Sequence, residues 1–420
     1  MNLIVFTAHY PYGNGEPFLE DEMRIAERYF DSITIVTYAK NNEKLSRYIP
    51  HNSSVIELRR DYSNFISLVK CIKALFYPRV WKEFVCGCRE RGIRKAVLVF
   101  NGILVAERHC SYIENVKSKL FNDCDNNIYY SYWINPAALY LSRVVKEKDI
   151  FCISRTHGGD CFYDRGYVPW RKDILSKLNV IYSISESGRN DILNHYSDSI
   201  SGLENKVKVA RLGVNINLSN SNVTHNKANS SEFTIVTCSN IIKLKRLDIL
   251  IEALTELSDL KIKWIHFGDG SLMHEIVHLA NSKLGSSLNT SFEFMGRVSK
   301  PEIYDFYANN RVDLFVNCSD VEGIPVSAME AMMFRIPVVA RNVGGLSELV
   351  SNKCGILLSE NCTSSDFANG IRAILSIIDR NSYERLREDA FITVNSKFNA
   401  ENNYCSFFEG LMRGKHEHNK

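Results

Sequence analysis

"SDVEGIPVSAMEAMMFRIPVVARNVGGLSELV", residues Ser319–Val350, sets two glutamates, Glu322 and Glu330, around a loop that runs into a helix, then an apolar strand and a double glycine. Pro325 suits a first helical turn, where its missing N–H would have had no partner, so the helix is expected to begin near Ile324. Glu322 and Gly323 then stand just ahead of a helix N-terminus, where free N–H groups and the positive end of the dipole favour an anion such as phosphate. Gly323 lets a ligand approach the backbone closely. Glu330, in the second turn, is spaced to accept hydrogen bonds from a ribose diol. The same spacing also fits two solvated acids at a helix end.

Outward from this stretch, short apolar strands alternate with amphipathic helices, the pattern of an α/β chain with parallel sheets covered on both faces. The first half reads as strands at "NLIVFTA", "SITIVTY", "KAVLVF" (with running on into a helix as the alternative), "NNIYYSYW", "FCISRTH", "VIYSIS" and "VKVARLG". The alternation restarts at "FTIVTCS" and continues through "IKWIHFG", "SFEFMG", "DLFVNCS" and "PVVA". Between the halves, Asn217–Glu232 is polar and rich in Asn and Ser, a linker by composition. The expected domains are 1–216, a linker 217–232, 233–395, and a C-terminal helix 396–420 that crosses back to the first domain. Two doubly wound halves would face a central cleft with the carboxyl ends of their strands.

At 420 residues the chain exceeds a single core, which agrees with two domains. A composition of 45% hydrophobic and 24% charged residues is that of a globular protein, and a net charge of +3 is too small to point to nucleic acid. The N-terminus has no basic segment before its apolar run, and no run reaches the roughly 18 to 20 apolar residues of a membrane span. A cytoplasmic location is expected, with the twelve cysteines as free thiols. Cys86 and Cys88 form a lone C-x-C without a matching pair, so no metal site is expected.

The opening stretch resembles the E-x7-E signature of the retaining GT-B glycosyltransferases of family 4, and the likeness extends over nearly the whole chain. The resemblance implies a GT-B fold of two Rossmann-like domains and transfer of a sugar from a nucleotide donor with retention of configuration. Glu330 takes the ribose; Glu322, with Gly323, Ile324 and Pro325, meets the transferred sugar and diphosphate. Lys245, in "CSNIIKLKRLDILIEAL", matches the phosphate-binding lysine. The arginine that many members carry five residues earlier is Asn240 here, leaving Lys243 or Arg246 to supply that charge to the leaving group. "HFGDGSL", with Gly268 and Asp269, resembles the segment near the nucleotide, and "FMGRVSKPEI" resembles the one whose backbone at Arg297 and Val298 receives the base. Gly344 and Gly345, with Glu348, resemble the loop after the next strand. Arg335 and Ile336 stand before Pro337 where the family usually has Gly, which adds bulk at a helix end.

In the first half the resemblance assigns His157, in "SRTHGGDCF", to the donor sugar near the bond broken, with Asp160 orienting it or meeting the acceptor. Gly13, Asn14 and Gly15 form the glycine loop that admits acceptor and diphosphate. Phe18 stands where a dinucleotide fingerprint would need a third glycine, which disfavours a nicotinamide dehydrogenase. Tyr132 and Trp133 end a strand, either lining an acceptor site or joining an aromatic core. Between Phe65 and Leu120 many Lys and Arg interleave with aromatic and aliphatic residues, suited either to an anionic membrane surface or to a basic solvated face over a core.

The implied enzyme is a hexosyl or N-acetylhexosaminyl transferase of O-antigen, capsule or exopolysaccharide synthesis. It would use a UDP- or GDP-sugar and no metal or other cofactor, act on a lipid-linked acceptor, and sit peripherally on the cytoplasmic face of the inner membrane. The alternatives are a catalytically silent GT-B subunit that binds a partner glycosyltransferase, and a GT-B epimerase or phosphorylase.

Overall fold

The structure, a computed structural model, describes residues 1–13, 15–39, 47–58, 64–219, 232–377 and 379–420. The chain forms two compact units, Met1–Arg211 with Tyr404–Lys420, and Leu212–Asn403. Residues 220–231 of the polar stretch, and Asn14 of the glycine loop, lie outside the described residues.

In the first unit β1 (Asn2–Thr7), β2 (Ser32–Thr37), β3 (Ser53–Glu57), β4 (Asn127–Ser131), β5 (Phe151–Thr156), β6 (Val180–Ser183) and β7 (Val207–Val209) form one sheet of order β3-β2-β1-β4-β5-β6-β7. In the second, β8 (Phe233–Cys238), β9 (Ile262–Phe267), β10 (Thr290–Phe294), β11 (Leu314–Asn317), β12 (Val338–Arg341) and β13 (Gly355–Leu358) follow the order β10-β9-β8-β11-β12-β13. Every pairing is parallel. Central strands such as β5 are buried along their whole length, as sheets covered on both faces require. Each sheet reverses its winding once, between β1 and β4 and between β8 and β11, and ligands of doubly wound sheets bind outside the carboxyl ends at such a reversal.

"KAVLVF" is not a strand. Lys95 closes a short 3-10 turn, Ile93–Lys95, and Ala96–Asn115 is one helix. Its Val99, Ile103, Ala106, Cys110 and Ile113 recur at helical spacing on the buried side. A six-residue apolar run has no period long enough to separate strand from buried helix, and only the continuation to Asn115 decides it. β3 and β13 are strands that the alternation did not single out.

In the second unit the helix of the opening stretch is Val326–Met333, two residues later than expected, because Pro325 is extended (φ −70°, ψ 117°) and caps it. Five of its eight residues are buried, and Glu330 is on the remaining side. The departure at Arg335 now has its physical meaning: the residue is left-handed (φ 59°) just past the helix end, the place where glycine is usual. Its side chain is held by Glu388 at 2.9 Å and lies over the Phe391 ring.

The last helix, Ala400–His418, packs against the first unit's sheet from Tyr404 onward. Phe407 meets Tyr130 and Tyr182, and Phe408 meets Phe30. Beneath them lies a fully buried ion pair, Arg155 to Glu22 at 2.5 Å, with Tyr130 donating to the same carboxylate at 3.1 Å. It ties β5, two residues before His157, to the helix Leu19–Ala26 that follows the glycine loop. Among the described residues no helix is long and apolar enough to cross a membrane.

Candidate active site

At the β8/β11 reversal the loops that follow the strands are joined by backbone hydrogen bonds. Asp320, after β11, donates its N–H to Leu244, after β8, at 2.9 Å. Ile241 donates to Asp269, after β9, at 3.0 Å, and Gly268 donates to Gly296, after β10, at 2.8 Å. Gly345, after β12, donates to Gly323 at 2.6 Å. The segments "CSNIIKLK", "GDG", "MGRV", "VEG" and "VGG" therefore form one continuous rim.

Two glycines are demanded by close approach rather than by turn chemistry alone. A Cβ on Gly344 (φ 61°) would lie 2.0 Å from the Glu322 carbonyl oxygen, and one on Gly268 (φ 143°) would lie 1.8 Å from that of Ser239. The double glycine is thus the brace behind the Glu322 loop.

Lys245 Nζ donates to Glu322 Oε1 at 2.5 Å, and Asn317 Nδ2 approaches the same oxygen at 3.3 Å. Glu330 accepts from the Tyr304 hydroxyl at 2.9 Å and has Lys300 Nζ at 3.5 Å. Lys300 and Tyr304 are one helical turn apart on Lys300–Asn309, so both reach Glu330 from one side. The side chains of Ile324 and Pro325 are buried, so this loop offers a ligand its backbone. Arg297 and Asp269 are exposed, while Val298 packs against the core.

The three basic residues of the β8 loop divide their roles. Arg246, left-handed at φ 49°, is bound by Asp248 at 3.0 Å and by Asp320 at 3.2 Å, and Arg341 reaches Asp320 at 2.7 Å. Lys245 faces Glu322. Lys243 is exposed and makes no ion pair among the described residues. Below the rim, Trp264 Nε1 donates to Thr237 Oγ1 at 2.9 Å, Thr237 pairs with His266 Nδ1 at 2.8 Å, and His266 Nε2 reaches the Ser239 carbonyl at 3.2 Å. A carbonyl only accepts, so the proton of the ring is on Nε2 and Thr237 donates to Nδ1. Burial pushes His266 down to about 4.

In the first unit the corresponding reversal, β1/β4, carries the glycine loop, and the histidine follows the next strand, β5. Glu16, buried and left-handed at φ 56°, accepts from the N–H groups of Ala8, His9 and Tyr10 at 3.0, 2.7 and 2.7 Å, and from Trp133 Nε1 at 2.5 Å. One carboxylate thus folds the loop after β1 and ties it to the loop after β4. Gly15 lies on His9, where a Cβ would come within 2.6 Å of the ring, and Gly13 is left-handed at φ 61°.

His157 is buried against Trp133, Tyr132 and Phe18, with ring centroids 4.3, 4.7 and 5.5 Å away. Burial first, then the charge of Arg155, holds its imidazole well below the usual histidine range, so it is neutral at pH 7. Its Nε2 lies 3.0 Å from the Tyr132 carbonyl. That nitrogen must donate, which leaves Nδ1 as an acceptor.

One of the two readings is corrected for Asp160 and one for Tyr132, whose aromatic-core reading holds. Asp160 does not orient the imidazole: its carboxylate accepts from the backbone N–H groups of His157 at 2.5 Å and Ile134 at 2.8 Å, joining the ends of β5 and β4. Burial pushes its carboxyl up to about 6. Tyr132 does not line a surface: its side chain is fully buried, and only its carbonyl serves, as the partner of His157. Trp133 remains partly accessible. Glu16, Tyr304, Lys300 and Asn317 were not singled out from the sequence. Glu16 had one available signal, its place directly after the glycine loop, and Asn317 stands only five residues before its partner Glu322, whereas Tyr304 and Lys300 had none, their partner Glu330 lying far along the chain.

Residues 220–392 match the family described as glycosyl transferases group 1. The O-antigen biosynthesis glycosyltransferase WbnH of Escherichia coli is 26% identical over 284 residues, spanning 66% of this chain and 74% of that protein. Among solved structures, the lipopolysaccharide outer core galactosyltransferase WaaB superposes with a TM-score of 0.68 at 15% identity, over 99% of this chain and all of that one. Anabaena Alr3699/HepE in complex with UDP-glucose gives 0.67 at 17% identity, over 98% of this chain and 100% of that chain. These are GT-B structures, and the chain has that fold.

Proposed function

We propose that the chain is a glycosyltransferase of group 1, similar to enzymes of O-antigen biosynthesis, and that it moves a sugar, with retention, from a nucleotide-sugar to a lipid-linked saccharide. The observation that carries this reading is the rim at the β8/β11 reversal, where Lys245 meets Glu322 at 2.5 Å and Glu330 stands one helix turn inside it. Glu330, preset by Tyr304 and Lys300, takes the ribose diol. Lys245 and Lys243 face the diphosphate, and Arg246, already neutralised by Asp248 and Asp320, serves the loop's shape instead.

In the transfer, the bond from the anomeric carbon to the diphosphate oxygen breaks and its electron pair leaves with the nucleotide. Lys245 stabilises the charge that develops there. The acceptor hydroxyl attacks from the same face, and its proton passes to the departing phosphate oxygen. Glu322 holds the sugar hydroxyls while it keeps Lys245 in line. On the first unit, His157 offers Nδ1 as an acceptor to a sugar hydroxyl. The donor carries UDP or GDP, the sugar is a hexose or N-acetylhexosamine, no metal takes part, and the acceptor is met at the cytoplasmic face of the inner membrane.

The test is a thermal-shift and calorimetry screen against UDP, GDP, ADP and their sugar conjugates with EDTA present. One nucleotide is expected to stabilise the protein, by roughly 2.7 kcal/mol at a hundredfold excess over Kd. Glu330→Ala should raise its Kd about tenfold or more, the worth of a charged hydrogen bond, whereas Glu322→Ala should lower turnover more than binding. Stabilisation by none of them, or equal affinity in wild type and Glu330→Ala, would overturn the assignment.

A further inference from the structure

Ten of the sixteen large apolar side chains that stand exposed among the described residues fall between Leu68 and Val105. They belong to three consecutive helices of the first unit, Asn64–Ala74, Pro78–Arg91 and Ala96–Asn115, and to the turns between them, which carry Phe76, Tyr77 and Ile93. Phe76 is 79% exposed and Ile93 and Val97 are 75% exposed, values that ordinary scattered surface residues do not reach in a group. Only Val80 and Gly87 of the middle helix are buried. Its outer side carries Trp81, which makes a cluster with Phe84 and Phe100, centroids 5.5 to 6.3 Å apart.

The charges on the same segment are sorted. Glu107 is buried between Arg79 and Arg143, both at 2.8 Å, and Glu83 accepts from the Tyr167 hydroxyl and the Trp170 N–H, both at 2.7 Å. What remains exposed between 68 and 105 is one acid, Glu90, against Lys73, Arg79, Lys82, Arg89, Arg94 and Lys95. Apart from Arg79, these cations make no ion pair among the described residues. The acids are consumed inside, and the cations and apolar groups are left outside.

We infer that these three helices dock the protein on an anionic lipid bilayer, with the apolar side chains entering the headgroup boundary and the cations meeting lipid phosphates. Aromatic and aliphatic groups interleaved with Lys and Arg on helices too short or too charged to span are the composition of an interfacial surface. A second copy of the chain fits poorly, because a self-complementary contact would set this row of cations against itself. The surface is also connected to the proposed reaction. Arg91 donates to the Gly166 carbonyl at 2.9 Å and Arg165 to that of Gly158, next to His157, at 3.4 Å. Docking would thus bring the histidine loop near lipid headgroups, a consequence that rests on the transferase reading, although the surface itself does not.

The experiment is flotation of the full chain with vesicles of phosphatidylglycerol and phosphatidylethanolamine, and with pure phosphatidylcholine, at low and high salt. Binding is expected to the anionic vesicles, weakening with salt. Each cation near an anionic surface is worth roughly fivefold, so Arg94→Gln with Lys95→Gln should lower partitioning about 30-fold. Phe76→Ser with Trp81→Ser should lower it about tenfold or more, with little change in the salt dependence. All variants should keep wild-type nucleotide affinity, which shows that they fold. No binding to anionic vesicles, equal binding to phosphatidylcholine, unchanged partitioning in the variants, or a concentration-dependent dimer abolished by them would overturn the inference. Vesicle binding without any nucleotide binding would leave the surface standing and remove the transferase reading.

Discussion

Gly344→Ala tests whether the double glycine braces the Glu322 loop. Two costs are expected. The left-handed backbone at φ 61° costs an L-residue about 1–2 kcal/mol. The new methyl would also lie 2.0 Å from the Glu322 carbonyl oxygen, a backbone atom that has to retreat by about an ångström. Overpacking of that kind costs about 1–3 kcal/mol, so the second unit should lose about 2–5 kcal/mol in all. Gly296→Ala separates the terms: its φ is 65° and nothing lies within 4 Å of the added methyl, so it should lose the strain term alone. Denaturant unfolding of the full chain, with the second unit's transition followed through Trp264, measures both. The displaced segment also carries the Glu322 carboxylate, and a misplacement of about an ångström costs on the order of a hundredfold in rate. Turnover of Gly344→Ala should fall accordingly, while that of Gly202→Ala (φ 69°, open space) should not. Equal losses of stability in Gly344→Ala and Gly296→Ala, or full turnover in the first, would refute the brace.

Glu16→Gln replaces a carboxylate that accepts four hydrogen bonds with an amide that cannot accept them all. The protein should lose about 1–3 kcal/mol, the penalty for a buried donor left unmade, and acceptor-dependent turnover should fall while nucleotide affinity stays; thermal unfolding and calorimetry read the two, and an unchanged melting temperature would count against the clamp. His266, held at about 4 against an ordinary 6.5, gives a pH signature. Below pH 6.5 the unfolded chain takes up a proton that the folded ring refuses, so the stability is full above that pH and is lost as pH falls toward 4. The loss is about 1.4 kcal/mol per pH unit and roughly 3 kcal/mol in all. His266→Gln should flatten that slope, and parallel curves for the two proteins would show that the ring is not buried neutral.

Much of this was written locally. Runs such as "NLIVFT" and "VIYS" carry apolar residues on both faces and lead into loops, which announces buried parallel strands and the loops at their carboxyl ends. The positions of Glu322, Glu330, Lys245 and His157 follow from those loops. "KAVLVF" shows where local patterning stops, because six apolar residues satisfy a strand and a buried helix equally until the following turns are included. Asp160 and Tyr132 show a second limit. Each lies at a strand end, as a site residue should, yet one holds backbone N–H groups and the other fills the core, and which way a side chain turns depends on neighbours that the sequence does not place.

The sequence by itself determined the alternation of strand and helix, the loops that carry chemistry, and the signature that names their class. It did so because strand, helix start and tight turn are set by residues within a few positions of one another. The tertiary structure alone decided the pairings: Lys245 with Glu322, Tyr304 with Glu330, Glu16 with Trp133, and Gly344 against the Glu322 carbonyl. The first and third of those contacts join loops that become neighbours only when the strand order puts β8 beside β11 and β1 beside β4, and the last needs β11 beside β12. Strand order is chosen by the packing of whole faces, a sum over the core that no short stretch contains.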